Sequence, residues 1–464
     1  MDKTYNDVLI IGGGPAGYLA AERAAQGGLT VTLFEERALG GVCLNEGCIP
    51  TKTYLNSVKI YDYALNGKAY GVSAENVTLD HNTVVNRKEK VVKTLVSGVE
   101  SKMKAHKVKV IKSKAVITGK DGDVFTVLAD GSHYSGRYLL IAAGSEPIIP
   151  PVPGMKEALS AGQAVTSREI LELRDIPKKL TVIGAGVVGL EMAAYFTAAG
   201  SKVCVIEMMD KIAGYTDAEI SDLLMKDLQK KGIEFKLGCK VTGTAPGSVT
   251  YEMFGKDGKQ GKIEKIDTDI VLVSIGRRAS IGNLGLETLG IFTERGAVVT
   301  DNNLRTNISG VYAIGDINGK SMLAHTAYRE AEVAVNHILQ KKDYMRYNAV
   351  PAVIYTSPEV ACTGETEETA REKGIDFEVK KLSMRYSGRF VAENDKGDGL
   401  CKLLFEKDKS GTDRLIGAHL IGSYASEIIY GAAMMIESRW PVSDLKEIVF
   451  PHPTVSEIIR EALF

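Results

Sequence analysis

Residues 7–17 read Asp7-Val8-Leu9-Ile10-Ile11-Gly12-Gly13-Gly14-Pro15-Ala16-Gly17. The short apolar run closed by glycine predicts a buried strand, and the Leu19-Ala20-Ala21 stretch beyond it predicts a helix. A second strand, Thr30-Val31-Thr32-Leu33-Phe34, ends at Glu35, so the whole is a βαβ unit. Gly12, Gly14 and Gly17 set out G-x-G-x-x-G at the strand-to-helix turn. Such a turn is an anion site, because absent side chains let a pyrophosphate approach the backbone and the helix start offers free N–H groups. Glu35 lies 23 residues after Gly12, near the ~20 at which an acidic residue accepts hydrogen bonds from a ribose 2′-OH. A tight turn without a ligand is the alternative; strand, helix and acid together argue against it.

The same grammar returns downstream. Leu180-Thr181-Val182-Ile183 leads into Gly184-Ala185-Gly186-Val187-Val188-Gly189, a helix through Met192-Ala193-Ala194, and a strand Lys202–Ile206 ending at Glu207. Gly12 to Gly184 and Glu35 to Glu207 share one offset of 172 residues. Two dinucleotides are therefore expected, and with them electron transfer between cofactors. Glu207 would repel a 2′-phosphate, and Met208 and Met209 follow it where an NADP site would place Arg, which favours NAD.

A chain of 464 residues is long enough for two to four packed units. The expected class is α/β: two Rossmann-like dinucleotide-binding domains and a C-terminal α+β domain. The Pro-rich piece Pro147–Gly154 marks the first boundary, giving 1–147 and 148–273 as the nucleotide domains, 274–347 as a central segment, and 348–464 as the tail. Lys and Arg total 57 against 58 Asp and Glu, so no global field exists for gripping nucleic acid or an anionic membrane. No apolar run is long enough to span a bilayer. The first strand begins at once after Asn6, leaving no room for a signal peptide, so a cytoplasmic location is expected. Lys-rich residues 88–114 read as a solvated helical face, with an acidic docking partner as the less favoured reading.

Gly40-Gly41-Val42-Cys43-Leu44-Asn45-Glu46-Gly47-Cys48-Ile49-Pro50-Thr51-Lys52 holds two of the six cysteines five positions apart. Buried core cysteines and a loose metal half-site are the alternatives. The segment offers too few ligands for a metal, and its glycine-rich flanks argue against simple packing. A helix is expected to begin near Pro50, which would lower a nearby thiol pKa. Flanked by two dinucleotide units, the pair reads as redox-active.

In the tail, His452-Pro453-Thr454-Val455-Ser456-Glu457 supports two readings. Thr454 to Glu457 has capping-box spacing before an apolar helix, so Glu457 could serve only to start that helix. The other, in which Glu457 orients His452 as a proton acceptor, comes only with the family resemblance below, since His452 alone reads as an ordinary surface or core histidine.

The cysteine segment resembles the active-site signature of the flavin-dependent pyridine nucleotide-disulfide oxidoreductases. The resemblance spans both glycine fingerprints, the Gly315-Asp316 turn with Met322-Leu323-Ala324-His325 after it, and the His452–Glu457 tail. It implies FAD on the first fingerprint, with Gly12, Gly14, Gly17, Glu35, Lys52, Ala115, Gly144, Asp316, Met322, Leu323, Ala324 and His325 around it. Asp316 would hold the ribityl or phosphate end, and Lys52 would lie by the ring, paired to Glu191. NAD would take Gly184, Gly186, Gly189, Glu191, Glu207, Val241 and Gly276. A Cys43–Cys48 disulfide is implied, Cys48 nearest the flavin and Cys43 exchanging with substrate, with His452 as base and Glu457 orienting it. His452 would come from the other subunit of a homodimer held by the C-terminal domain.

The Cys-Leu-Asn-x-Gly-Cys-Ile-Pro wording is nearer to family members that oxidise protein-bound dihydrolipoamide than to those that reduce glutathione disulfide. A lipoyl-bearing protein of a multienzyme complex is thus the implied partner; a glutathione-type reductase and a non-catalytic redox-sensing flavoprotein are the rivals. The chain departs from the family at Thr51, Ala143, Pro451 and the missing Pro after Arg277-Arg278.

Overall fold

The computed structural model of the protein describes residues 4–254, 261–395, 397–407 and 412–464. It divides into two compact units. The first comprises Met1–Thr53, Thr83–Ile148 and Gly276–Arg346; the second comprises Tyr54–Asn82, Ile149–Ile275 and Tyr347–Phe464. Tyr54–Asn82 goes with the second unit, where Tyr54 packs. Tyr54 is fully buried, donates its hydroxyl to the Leu171 carbonyl at 2.8 Å, and lies 4.6 Å from the Tyr195 ring.

In the first unit, strands Lys109–Ile111, Val31–Phe34, Thr4–Ile11 and Ser132–Ile141 run parallel in that order. Val8, Leu9, Ile10 and Leu33 have almost no exposure, as expected for strands covered on both faces. The long strand Ser132–Ile141 is shared. Its first half pairs antiparallel with Val124–Ala129, and its second half pairs parallel with Val311–Ala313. That second pairing stitches the segment after residue 276 into the sheet. Helix Pro15–Gln26 follows the glycine turn, its first turn opened by Pro15, and packs on helix Ala324–Ile338.

The second unit repeats the arrangement. Strands Glu234–Lys236, Lys202–Ile206, Lys179–Ile183, Ile270–Val273 and Ala164–Val165 form a parallel sheet. Val8 pairs with Val31 in the first sheet and Leu180 with Val203 in the second, so the 172-residue offset carries the strand register with it. The tail forms an antiparallel sheet, ordered Ala352–Ile354, Glu359–Gly364, Arg414–Gly422, Leu400–Glu406 and Phe377–Ser383. Helices Ala425–Ser438 and Glu457–Leu463 pack on it.

One row across this sheet is polar. Cys362 pairs with His419, His419 with Lys402, and Lys402 with Lys381. Lys402 is buried, its Nζ lying 2.8 Å and 3.0 Å from the two Asp217 carboxylate oxygens and 2.6 Å from Glu367 Oε1. Asp217 also caps helix Ala218–Lys230, accepting the Glu219 and Ile220 N–H groups. One buried carboxylate thus starts a helix and anchors it to the sheet.

The Lys-rich stretch lies largely on helix His81–Ala105. Lys88 departs from the expected solvated face, since it is buried.

Candidate functional site

Each glycine of the first fingerprint has a distinct steric reason. Gly12 has φ +105°, and a Cβ there would stand 2.2 Å from the Ala142 carbonyl oxygen; a Cβ on Gly17 would strike the Gly12 carbonyl oxygen. Those two close the turn onto the sheet and helix. At Gly14 a Cβ would meet only Gly41 Cα, at 3.7 Å, so the space before it is open. The second unit agrees: Gly184 has φ +98° against the Ser274 carbonyl, Gly189 backs onto the Gly184 carbonyl, and Gly186 faces open space. Both turns therefore present bare backbone at a helix start, a donor set suited to a pyrophosphate. The residues present fit a dinucleotide in each unit.

The acidic residues are tied to their turns. Glu35 accepts the Gly13 N–H at 2.7 Å through Oε2 and the Arg37 N–H at 2.7 Å through Oε1. Glu207 accepts Ala185 N–H at 2.7 Å and Met209 N–H at 2.8 Å. Each carboxylate oxygen keeps a further lone pair for a ribose hydroxyl.

Cys43 lies in a short helix, Gly41–Glu46, and Cys48 opens the long helix Cys48–Asn66, two residues before the start expected at Pro50. Both stand as free thiols. A hydrogen bond between the Cys43 and Cys48 thiols, then burial, pushes the Cys43 thiol well above the ordinary cysteine value, with Lys52 opposing. The direction at Cys43 is thus opposite to the lowering expected from a helix start. Close by, the Tyr18 and Tyr328 hydroxyls lie 2.5 Å apart, joining the two packed helices of the first unit. Burial is the first cause raising both phenols.

Asp316 sits in the single turn Gly315–Asn318 at the end of strand Val311–Ala313. Its Oδ2 lies 2.5 Å from Ser145 Oγ; Arg277 Nε donates to the same Oγ at 2.8 Å and Arg277 Nη2 to the Ser145 carbonyl at 2.7 Å. Burial raises the Asp316 pKa, while the Ser145 hydrogen bond and the Arg277 charge oppose the rise. Glu330, fully buried, accepts Gly315 N–H at 2.6 Å and Asn318 Nδ2 at 2.9 Å, fixing the turn from behind. Sequence reading missed Ser145, Arg277, Glu330 and the tyrosine pair as site residues. Only the wording around Gly144 and after Gly276 hinted at the first two.

In the tail Glu457 reaches both His452 and Thr454, but it does not take the capping-box position, because the helix begins at Glu457 itself with Ser456 before it. Oε1 lies 2.9 Å from His452 Nδ1 and Oε2 accepts the Thr454 N–H at 2.8 Å. Thr454 Oγ1 does not cap the helix and donates to the Pro451 carbonyl at 2.8 Å. Glu457 is held below the usual carboxylate range by the Thr454 N–H first and by His452 next.

The first unit gathers Gly12, Gly14, Gly17, Glu35, Cys43, Cys48, Lys52, Ala115, Gly144, Asp316, Met322, Leu323, Ala324 and His325, and also holds Gly276. Ala115 begins a strand and Ala324 a helix. The second unit holds Gly184, Gly186, Gly189, Glu191, Glu207, Val241, His452 and Glu457. There Glu191 Oε1 accepts the Tyr355 N–H at 2.9 Å. A cavity of about 650 Å³ in the first unit opens instead beside Arg137, Tyr138 and Arg305, and none of these site residues lines it.

Comparison with known proteins agrees with this geometry. Residues 6–331 match the pyridine nucleotide-disulphide oxidoreductase family, and residues 350–463 match its dimerisation domain. The chain is 38% identical to the mitochondrial dihydrolipoyl dehydrogenase of Pisum sativum, covering 98% of this chain and 90% of that one. It is 39% identical to the Bos taurus mitochondrial dihydrolipoyl dehydrogenase, covering 98% and 89%. The crystal structure of LpdA from Mycobacterium tuberculosis superposes with a TM-score of 0.86 at 25% identity over 99% of both chains. Two duplicated glycine cradles, a paired-cysteine helix start and a matched dimerisation module together place this chain in the pyridine nucleotide-disulphide oxidoreductase family.

Proposed function

We propose that this protein is an NAD-dependent dihydrolipoyl dehydrogenase that oxidises the dithiol of a lipoyl-bearing partner protein. The observation that carries the reading is the hydrogen-bonded Cys43–Cys48 pair, in the same unit as the first glycine cradle. The tail acts as a dimerisation module, so the working protein is a homodimer in which His452 serves the cysteine pair of the other copy.

In the oxidised enzyme Cys43 and Cys48 share a disulfide. His452 Nε2 takes the proton of a substrate thiol, its Nδ1–H held by Glu457. The substrate thiolate attacks Cys43 Sγ, a new S–S bond forms, and Cys48 leaves as thiolate. The second substrate thiol gives its proton to solvent, attacks the substrate sulfur of the mixed disulfide and releases Cys43 as thiolate. The substrate leaves as a cyclic disulfide, and the enzyme retains two electrons as a dithiol. Cys43 then recovers a proton, which its bond to Cys48 and its burial favour. Asp316, the bare turn at Gly14 and Glu35 would hold FAD, and Gly186 and Glu207 would hold NAD. FAD when bound supplies the two-electron relay from dithiol to NAD⁺.

No helix among the described residues is long and apolar enough to cross a membrane, and the cytoplasm is the proposed site of action. The deciding experiment is steady-state turnover of the purified holoenzyme with dihydrolipoamide and NAD⁺, beside glutathione disulfide with NADH and NADPH. Turnover with dihydrolipoamide alone is the expected result. Preference for glutathione disulfide, or a protein that binds FAD but turns over neither, would replace this reading with one of its rivals.

A further inference from the structure

Arg277, Ser145 and Asp316 form a hydrogen-bonded chain in which the direction of the first bond is fixed. A guanidinium Nε–H can only donate, so Ser145 Oγ, 2.8 Å away, must accept from it. The single Ser145 proton is then free to serve Asp316 Oδ2, 2.5 Å away. Donated there, it gives every member of the chain a partner when Asp316 is ionised, whereas a protonated Oδ2 would have to turn the Ser145 proton away from the carboxyl. The geometry is held by backbone as well. Ser145 lies in a short antiparallel ladder with Arg277–Ala279, in which Arg277 pairs with Pro147 and Ala279 with Ser145. Ser280 N–H to the Gly144 carbonyl and Ile148 N–H to the Gly276 carbonyl, both 3.0 Å, close its two ends. Arg277 Nη2 on the Ser145 carbonyl adds a second, parallel bond, fixing the guanidinium plane.

We propose that Arg277 is a positioning residue for the flavin: acting through Ser145, it keeps Asp316 a charged, singly oriented acceptor for a hydroxyl of the FAD chain. This rests on the reading of the first unit as an FAD site. Burial raises the Asp316 pKa, and the Ser145 hydrogen bond and the Arg277 charge counter part of that rise. The neighbouring Arg278 is exposed and pairs with Glu146 instead, so of the two adjacent arginines only Arg277 enters the chain.

The test is FAD retention as a function of pH in full-length protein, followed by flavin fluorescence on release. Variants are Ser145→Ala, Arg277→Gln, their combination, Ser145→Thr, Arg277→Lys and Arg278→Gln. Because the ionised carboxylate is the acceptor, FAD is lost as pH falls through the Asp316 titration. Removing either relay member moves that midpoint to higher pH, by about one unit, equivalent to roughly tenfold in proton affinity. The double variant should shift by less than the sum of the two single shifts, since part of the Arg277 effect runs through Ser145. Ser145→Thr keeps the hydroxyl and should restore the original midpoint, Arg277→Lys should fall between, and Arg278→Gln should not move it. Unmoved midpoints in Ser145→Ala and Arg277→Gln, or shifts that add in the double variant, would overturn the inference. Should Ser145→Ala fail to fold, Arg277→Lys and Arg277→Gln against Arg278→Gln still decide it. A wild-type protein that binds no FAD would instead overturn the functional reading on which this one stands.

Discussion

His452 Nδ1 lies 2.9 Å from Glu457 Oε1 while the other oxygen of that carboxylate accepts the Thr454 backbone N–H. The imidazole is otherwise open, its side chain 79% exposed. A carboxylate fixed at both oxygens selects the Nδ1–H tautomer and leaves Nε2 as the basic nitrogen. Replacing His452 by Gln should slow dithiol oxidation by about 10²–10⁴-fold, the usual worth of a positioned base. Absorption of the bound flavin should be unchanged. Stopped-flow reduction by dihydrolipoamide measures this, and a near-normal rate would remove His452 from the mechanism.

Cys43→Ser should abolish dithiol turnover while leaving a yellow, folded protein, because the hydroxyl keeps the shape but cannot exchange sulfur. NADH should still reduce the flavin in this variant. Residual lipoamide turnover above a thousandth of the parent rate would assign the exchange role elsewhere.

Lys402 is buried among Asp217, Glu219 and Glu367. Lys402→Met leaves the Asp217 charge buried without its main counter-ion, a loss of about 3–5 kcal/mol. Asp217→Asn in the same background should recover part of it, because the amide oxygen still caps helix Ala218–Lys230. Thermal unfolding midpoints of the single and double variants test the order.

Two buried histidines give stability a pH dependence of definite sign. Burial lowers the pKa of His81, which lies 2.7 Å from the Tyr195 hydroxyl and 2.9 Å from the Leu173 carbonyl. Burial lowers that of His419 too, whose Nε2 donates to the Glu365 carbonyl at 2.8 Å. Both therefore fold neutral. Their contribution is complete above the unfolded-state value near ~6.5 and is lost as pH falls from there through the depressed folded values. The expected slope below pH ~6.5 is up to about 1.4 kcal/mol per pH unit for each histidine. Urea unfolding between pH ~7.5 and ~5.5 measures it, and a flat profile in that range would show that neither ring stays neutral on folding.

The parts of the molecule legible in the sequence are those that repeat or sit close together. Glycine spacing, strand ends and Glu35 and Glu207 follow from local pattern, because a turn and its acid lie within one βαβ unit. The His452–Glu457 contact is likewise local. Ser145 and Asp316, by contrast, meet across 171 residues, and Asp217 and Lys402 across 185. Neither pairing leaves a spacing or a periodicity. Glu330 reads as an ordinary helical glutamate until the helix Ala324–Ile338 is seen to carry it behind the Gly315 amide. The helix start expected near Pro50 falls two residues late, since proline is the visible signal and is tolerated within a first turn.

The carboxylate proposed to meet the ribose in each half, Glu35 or Glu207, already holds the amides of its own loop. Exchanging Glu207 for a basic residue to admit a phosphorylated ribose would also release the amides of Ala185 and Met209. Reprogramming coenzyme choice in this scaffold therefore calls first for a substitute acceptor at those two donors, and only afterwards for a new charge.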